Sequence, residues 1–149
     1  MLKTAVSIAA LMVAGTVSAQ TAPSFAKPEE AVQYREGAMQ VMKARFGVLA
    51  PVVKGQVPYD KEAVLKDVEI FDVVAKLPWA GFEKGTEGGN AKPDVWTNAE
   101  VFAQEQQKFL SALEPLTQAA KAGDFDNLRV AFGKVGASCK SCHDSFMKK

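Results

Sequence analysis

Apolar and sulfur-bearing positions near the C-terminus recur in steps of three and four: Phe125, Leu128, Phe132, Val135, Cys139, Cys142 and Phe146. This is the spacing of one buried face of an α-helix, and it constrains the chain because both of its cysteines fall on that face. The only histidine, His143, follows directly, so Cys139 to His143 reads C-x-x-C-H. In that pattern two thiols add across the two vinyl groups of a haem to give thioethers, and the neighbouring imidazole binds the iron. On a helix, residues three and four after Cys139 stay on its side. One turn would then offer two covalent anchors and one axial ligand to a single flat cofactor.

Other chemistries use the same residue types. A thioredoxin-like C-x-x-C follows a strand in a βαβ unit, whereas this one sits on a helical pattern. A structural zinc site takes about four ligands, which this chain could complete only with carboxylates. A disulfide between Cys139 and Cys142 would suit an exported protein but leaves the adjoining histidine unexplained. Covalent haem c uses all three side chains.

The N-terminus points to export. Lys3 is a short basic region, Ala5 to Val17 is apolar, and Val17-Ser18-Ala19 has the small residues read by a signal peptidase. A membrane span needs about 20 apolar residues, and this run is shorter. The expectation is a cleaved signal peptide over residues 1–19, with a cut after Ala22 as the alternative, and a periplasmic domain over 20–149. With 18 Lys and Arg against 17 Asp and Glu, the chain lacks the basic excess expected of a nucleic-acid binder. No second apolar run suggests a membrane anchor for the mature form.

The first mature helix is expected from Pro28, a favoured first helical residue followed by Glu29 and Glu30, to about Leu49 before Pro51. Its stripe is Val32, Arg35, Met39, Met42, Phe46 and Leu49. Arg35 puts a permanent charge on an apolar face, which requires a partner if it is buried. A haem propionate would serve; the alternative is an arginine that reaches water from the stripe's edge.

Asp60 is a candidate N-cap for the second helix, with Tyr59 and Val64 as a hydrophobic staple and Val64, Val68, Phe71 and Ala75 on the inner side. About twenty residues then intervene, with Trp79 and Phe82 among glycines and prolines. Connections of that length usually cover a site or are disordered, and the aromatics favour an ordered segment near the cofactor. Thr97 and Glu100 have capping-box spacing for a third helix carrying Phe102, Phe109, Leu113, Leu116 and Ala120. Pro115 is expected to kink it, because the stripe continues in phase beyond. Gly123 closes that helix and Asp124 caps the fourth. Four amphipathic helices without a strand pattern indicate an all-α, antiparallel four-helix bundle with its haem by the C-terminal helix.

The order of elements resembles the cytochrome c′ family of exported bacterial haem proteins. The likeness covers essentially the whole mature chain, in Phe25-Ala26-Lys27-Pro28-Glu29, Tyr34-Arg35, Leu77-Pro78-Trp79, Gly85-Thr86-Glu87-Gly88-Gly89 and Gly136-Ala137-Ser138-Cys139 through His143. It implies thioethers at Cys139 and Cys142, His143 as proximal iron ligand, and Arg35 by a propionate with Glu36 and Asn90 at neighbouring haem contacts. It also implies Met39, Trp79 and Phe82 on the distal side and a homodimer through the first two helices. Three positions depart from the family's common pattern. Glu36 stands where a neutral glutamine is frequent, Asn90 where an aspartate occurs, and Met147 where many relatives carry a basic side chain. Lys148 lies one place too late to replace it.

The functional expectation is a periplasmic haem protein with a five-coordinate iron that binds NO and CO and exchanges single electrons with a redox partner. No enzyme is expected, since no second histidine or convergent acid–base pair is recognisable. The alternative is a low-spin electron carrier with Met39 as sixth ligand, since thioether sulfur can bind haem iron.

Overall fold

The structure, a computed structural model, describes residues 22–149; the expected signal peptide lies outside them. Four long helices form the bundle. α1 spans Pro28–Val53 and α2 spans Lys61–Val74. A 3₁₀ turn at Pro78–Phe82 and the single turn of α3 at Asp94–Thr97 follow, before α4 at Ala99–Ala122 and α5 at Phe125–Phe146. The long helices pack as a ring, α1 on α2, α2 on α4, α4 on α5 and α5 back on α1, with successive members antiparallel. No helix among the described residues is long and apolar enough to cross a membrane.

The stripes meet as their spacing demands. Met42 and Leu49 of α1, Val64, Val68 and Phe71 of α2, Phe109, Leu113 and Leu116 of α4, and Leu128 and Val135 of α5 form one buried cluster. Phe46 binds three helices at mid-bundle. Its ring stacks on Phe132 at 4.1 Å and tilts against Phe71 at 5.2 Å; such pairs add about 0.5–1.5 kcal/mol each beyond area burial.

The ends follow local chemistry. The Asp60 side chain accepts from the Ala63 N–H at 3.0 Å, as expected of the α2 cap. Tyr59 packs half-buried on the main cluster and tilts against Phe125 at 5.1 Å. Gly123 ends α4 with φ 74°, a left-handed conformation that favours glycine. Asp124 then accepts from the Asn127 N–H at 3.0 Å. α4 remains one helix through Pro115.

Two boundaries differ from expectation. α1 does not stop at Leu49 but continues through Pro51 to Val53. The proline removes only a bond to the carbonyl of Gly47, an exposed residue where water can take its place. In return Val53 joins Leu49, one turn earlier, in the core. The Thr97–Glu100 capping box does not form. Thr97 is already inside α3 with its hydroxyl donating to Pro93 O at 3.3 Å, and a cap requires a non-helical backbone. Asn98 occupies the α4 cap position without a side-chain cap bond.

Candidate functional site

The segment between α2 and α4 is docked on α1 by a buried guanidinium. Arg35 is 2% exposed. Its Nη1 donates to Gly81 O and to Thr86 O at 2.7 Å, and its Nη2 donates to Gly88 O at 2.9 Å. The guanidinium carbon lies 4.9 Å from the Phe82 ring centre and 5.4 Å from that of Trp96. Burial pulls the guanidinium pKa below its ordinary value, while the Glu36 and Glu87 carboxylates oppose the shift. The arginine therefore does not reach water from the stripe's edge. Three of its five N–H groups are taken by the carbonyls of Gly81, Thr86 and Gly88.

Close approach makes this docking possible. A Cβ at Gly81 would come within 2.8 Å of Arg35 Cβ and 2.9 Å of Ala31 O, so a hydrogen is required there. Glu36 holds the next stretch: its Oε1 accepts from the Asn90 N–H at 3.0 Å. The two expected haem-contact residues are thus adjacent, joined through the backbone of Asn90. The C-terminus closes over the same stretch. Lys92 N donates to Phe146 O at 2.8 Å and Lys148 N to Asn90 O at 2.9 Å, forming the Ala91–Met147 bridge. The Lys92 ammonium donates to Asp144 O and Ser145 O, on the electronegative end of α5, and the Lys148 ammonium to Gly89 O. Met147 is exposed.

Of the sequence-expected residues, Trp79, Phe82 and Cys142 meet in one small cluster by the end of α5. Trp79 donates from Nε1 to Ala75 O at 2.9 Å and packs against both hydrophobic clusters. Met39 and Cys139 pack on the large one; Phe82 and Cys142 pack on a smaller one formed by Val95, Phe102 and Phe146. Phe82 meets Phe102 at 5.0 Å, and Phe102 meets Phe146 edge-on at 5.3 Å. Cys139 and Cys142 are half-buried and unlinked, while His143 is exposed. Burial pushes the Cys139 thiol up, and it pushes Cys142 up to about 11 with further contributions from Glu105 and Cys139. Both side chains therefore remain uncharged thiols at neutral pH.

Several participants were not expected. Trp96 lies over Arg35 and donates from Nε1 to Glu83 O at 3.1 Å. The Thr86 hydroxyl donates within the same loop, to Glu83 O at 2.6 Å. Glu105 is buried on the inner face of α4. Glu105 falls between Phe102 and Phe109 on their stripe, and Thr86 lies in the Gly85–Gly89 stretch of the family resemblance, whereas Trp96 left no mark in the sequence.

A model of the family described as cytochrome c′ matches residues 30–147. The chain belongs to the cytochrome c′ family. Cytochrome c′ from Alcaligenes xylosoxydans xylosoxydans is 53% identical over 84% of this chain and 98% of its own. The Rubrivivax gelatinosus cytochrome c′ is 36% identical over 84% and 99%. A solved nitric oxide complex of a single-residue variant of cytochrome c prime from Alcaligenes xylosoxidans superposes with a TM-score of 0.83 at 52% identity, over 85% of this chain and 99% of that one. The cofactor of the cytochrome c′ family is covalent haem c, and the residues here fit it. Two unlinked thiols share one face of a helix, an exposed imidazole adjoins them, and a cluster of aromatic side chains packs against Cys142.

Arg35→Lys and Gly81→Ala should each loosen the 81–91 segment, the first by leaving carbonyls short of donors and the second by steric conflict. Unsatisfied buried groups cost about 1–3 kcal/mol. Hydrogen exchange of the haem-loaded protein should accelerate at amides 81–91 and remain unchanged in the middle of α2. Unchanged exchange in both variants would remove the clamp from the account.

Proposed function

We propose that the chain is a periplasmic c-type haem protein in which Cys139 and Cys142 carry the two thioethers and His143 is the single protein ligand to iron. The observation that carries this reading is the exposed imidazole beside two unlinked, half-buried thiols on the inner face of α5. The haem supplies an iron that binds diatomic gases such as NO and CO and changes oxidation state by one electron. The protein orients and screens it. Arg35 holds a propionate, and the Glu36–Asn90 pair borders the same edge. Met39, Trp79 and Phe82 form the distal wall that excludes water and crowds an entering ligand. Electrons are exchanged with a separate redox partner, and no catalysed reaction is assigned.

The sixth position is open in this reading. A methionine at helical spacing is more often a flexible filler than a ligand, and half-buried Met39 packs on the cluster that receives Trp79 and Cys139. Shortening it should open the distal side. In stopped-flow mixing with CO, ferrous Met39→Ala should bind about tenfold faster or more than wild type, equivalent to about 1.4 kcal/mol of barrier. An unchanged rate would remove Met39 from the entry path.

The attachment and export readings share one measurement. Intact mass after acid–acetone treatment should equal residues 20–149 plus one haem. A haem lost to the solvent, or a chain retaining residues 1–19, would contradict the corresponding part.

We assign the homodimer contact to the outer faces of α1 and α2. Val41 and Val48, seven residues apart on α1, are about half exposed, and Val73 on α2 more so; exposed apolar side chains grouped on neighbouring elements mark association surfaces. Sedimentation equilibrium should give a dimer for wild type and a monomer for Val48→Glu. A dimer that persists in Val48→Glu would exclude this face.

A further inference from the structure

Glu105 has no role in the reading above, yet its position is costly. It is 7% exposed, on the turn of α4 between buried Phe102 and Phe109. Its Oε1 accepts from the Lys108 ammonium, whose side chain is 64% exposed. Its other oxygen, Oε2, is buried and without a partner in good hydrogen-bonding geometry. A buried carboxylate with an unsatisfied oxygen costs stability that an amide or apolar residue would not. Fold stability therefore does not account for it.

Its surroundings suggest what it acts on. Phe102 on α4 meets Phe146 on α5 at 5.3 Å, which in antiparallel helices sets Glu105, one turn after Phe102, level with Cys142, one turn before Phe146. Phe102, one turn before Glu105, lies in the same small cluster that takes in Cys142. The Glu105 carboxyl is held below its usual range chiefly by the Lys108 hydrogen bond, so it is an anion at neutral pH. By contrast, the neighbouring Lys140–Asp144 pair is 76% and 61% exposed, where solvent screens its field. The inner end of the Glu105–Lys108 pair is negative and desolvated, while its positive end is in water. Toward the bundle interior the pair acts as a negative charge.

We infer that Glu105 is a redox-positioning residue: a fixed, buried anion beside the Cys142 attachment point that favours ferric over ferrous iron and so lowers the reduction potential of the bound haem. The inference rests on the assignment of Cys142 as a haem anchor. Reduction adds one electron from an external donor and lowers the charge on the iron by one, so a nearby anion disfavours the ferrous state at any donor potential. Glu105 itself neither gains nor loses a proton in that step.

Spectroelectrochemical titration of the haem-loaded protein at about pH 8, well above an ordinary carboxyl pKa, tests this by sign. Glu105→Gln keeps the shape and the acceptor for Lys108 but removes the charge. Poised at the wild-type midpoint, it should show a ferrous-to-ferric ratio raised about threefold or more, a tenfold rise being about 59 mV for one electron. Lys108→Met removes the compensating cation and should move the ratio the opposite way. Opposite shifts support the inference; shifts of the same sign, or none, overturn it. Should Glu105→Gln fail to fold, the Lys108→Met sign alone decides, with a fall in the ratio supporting the role and an unchanged or raised ratio ending it. Wild type lacking covalent haem would instead overturn the attachment reading, which the mass of the same sample reports separately.

Discussion

A buried guanidinium that forms no direct ion pair among the described residues organises one end of the bundle. Removing a charge from water is expensive, and Arg35 meets that cost with the carbonyls of Gly81, Thr86 and Gly88 and the faces of Phe82 and Trp96. The dependence runs both ways. The segment between α2 and α4 has only short turns of its own, so its carbonyls need outside donors. One side chain on α1 supplies them, and in doing so fixes where Phe82 lies. Glu36, on the next position of the same helix, extends the attachment to Asn90.

The other fastening comes from the C-terminus. Lys92 and Lys148 exchange backbone and ammonium hydrogen bonds with the end of α5 and with residues 89 and 90. The last turn of α5, which bears Cys142 and His143, is therefore tied to the segment that Arg35 ties to α1. The segment between α2 and α4 and the end of α5 are held to each other through short contacts, and α5 itself is held by the stacked Phe46 and Phe132 lower in the bundle. A c-type cofactor bonded to α5 would be placed against that segment by the same fastenings.

Much of this was legible because it is periodic or local. The apolar stripes, the Asp60 and Asp124 caps, the Gly123 turn and the continuity through Pro115 all depend on neighbours a few residues apart. C-x-x-C-H was legible because its chemistry requires that spacing. The run of α1 past Pro51 was not, since the gain from Val53 depends on a partner surface distant in sequence. The apparent capping box at Thr97 failed because α3 had already curled the backbone. The partners of Arg35 were hidden for a deeper reason: they are carbonyls, which every residue carries, so no side chain advertises them. Glu105 is an acid on an apolar stripe, but its meaning appears only once Lys108 and the cluster that takes in Cys142 are seen beside it.

The central claim is that a c-type haem is held here by one protein ligand with the opposite position open. The optical spectrum of the dithionite-reduced protein at neutral pH tests it most directly. The account predicts a high-spin, five-coordinate ferrous haem with a broad band in the visible region and His143 as its only protein ligand. A low-spin spectrum with sharp, resolved bands that Met39→Ala abolishes would contradict it and make the protein a six-coordinate electron carrier.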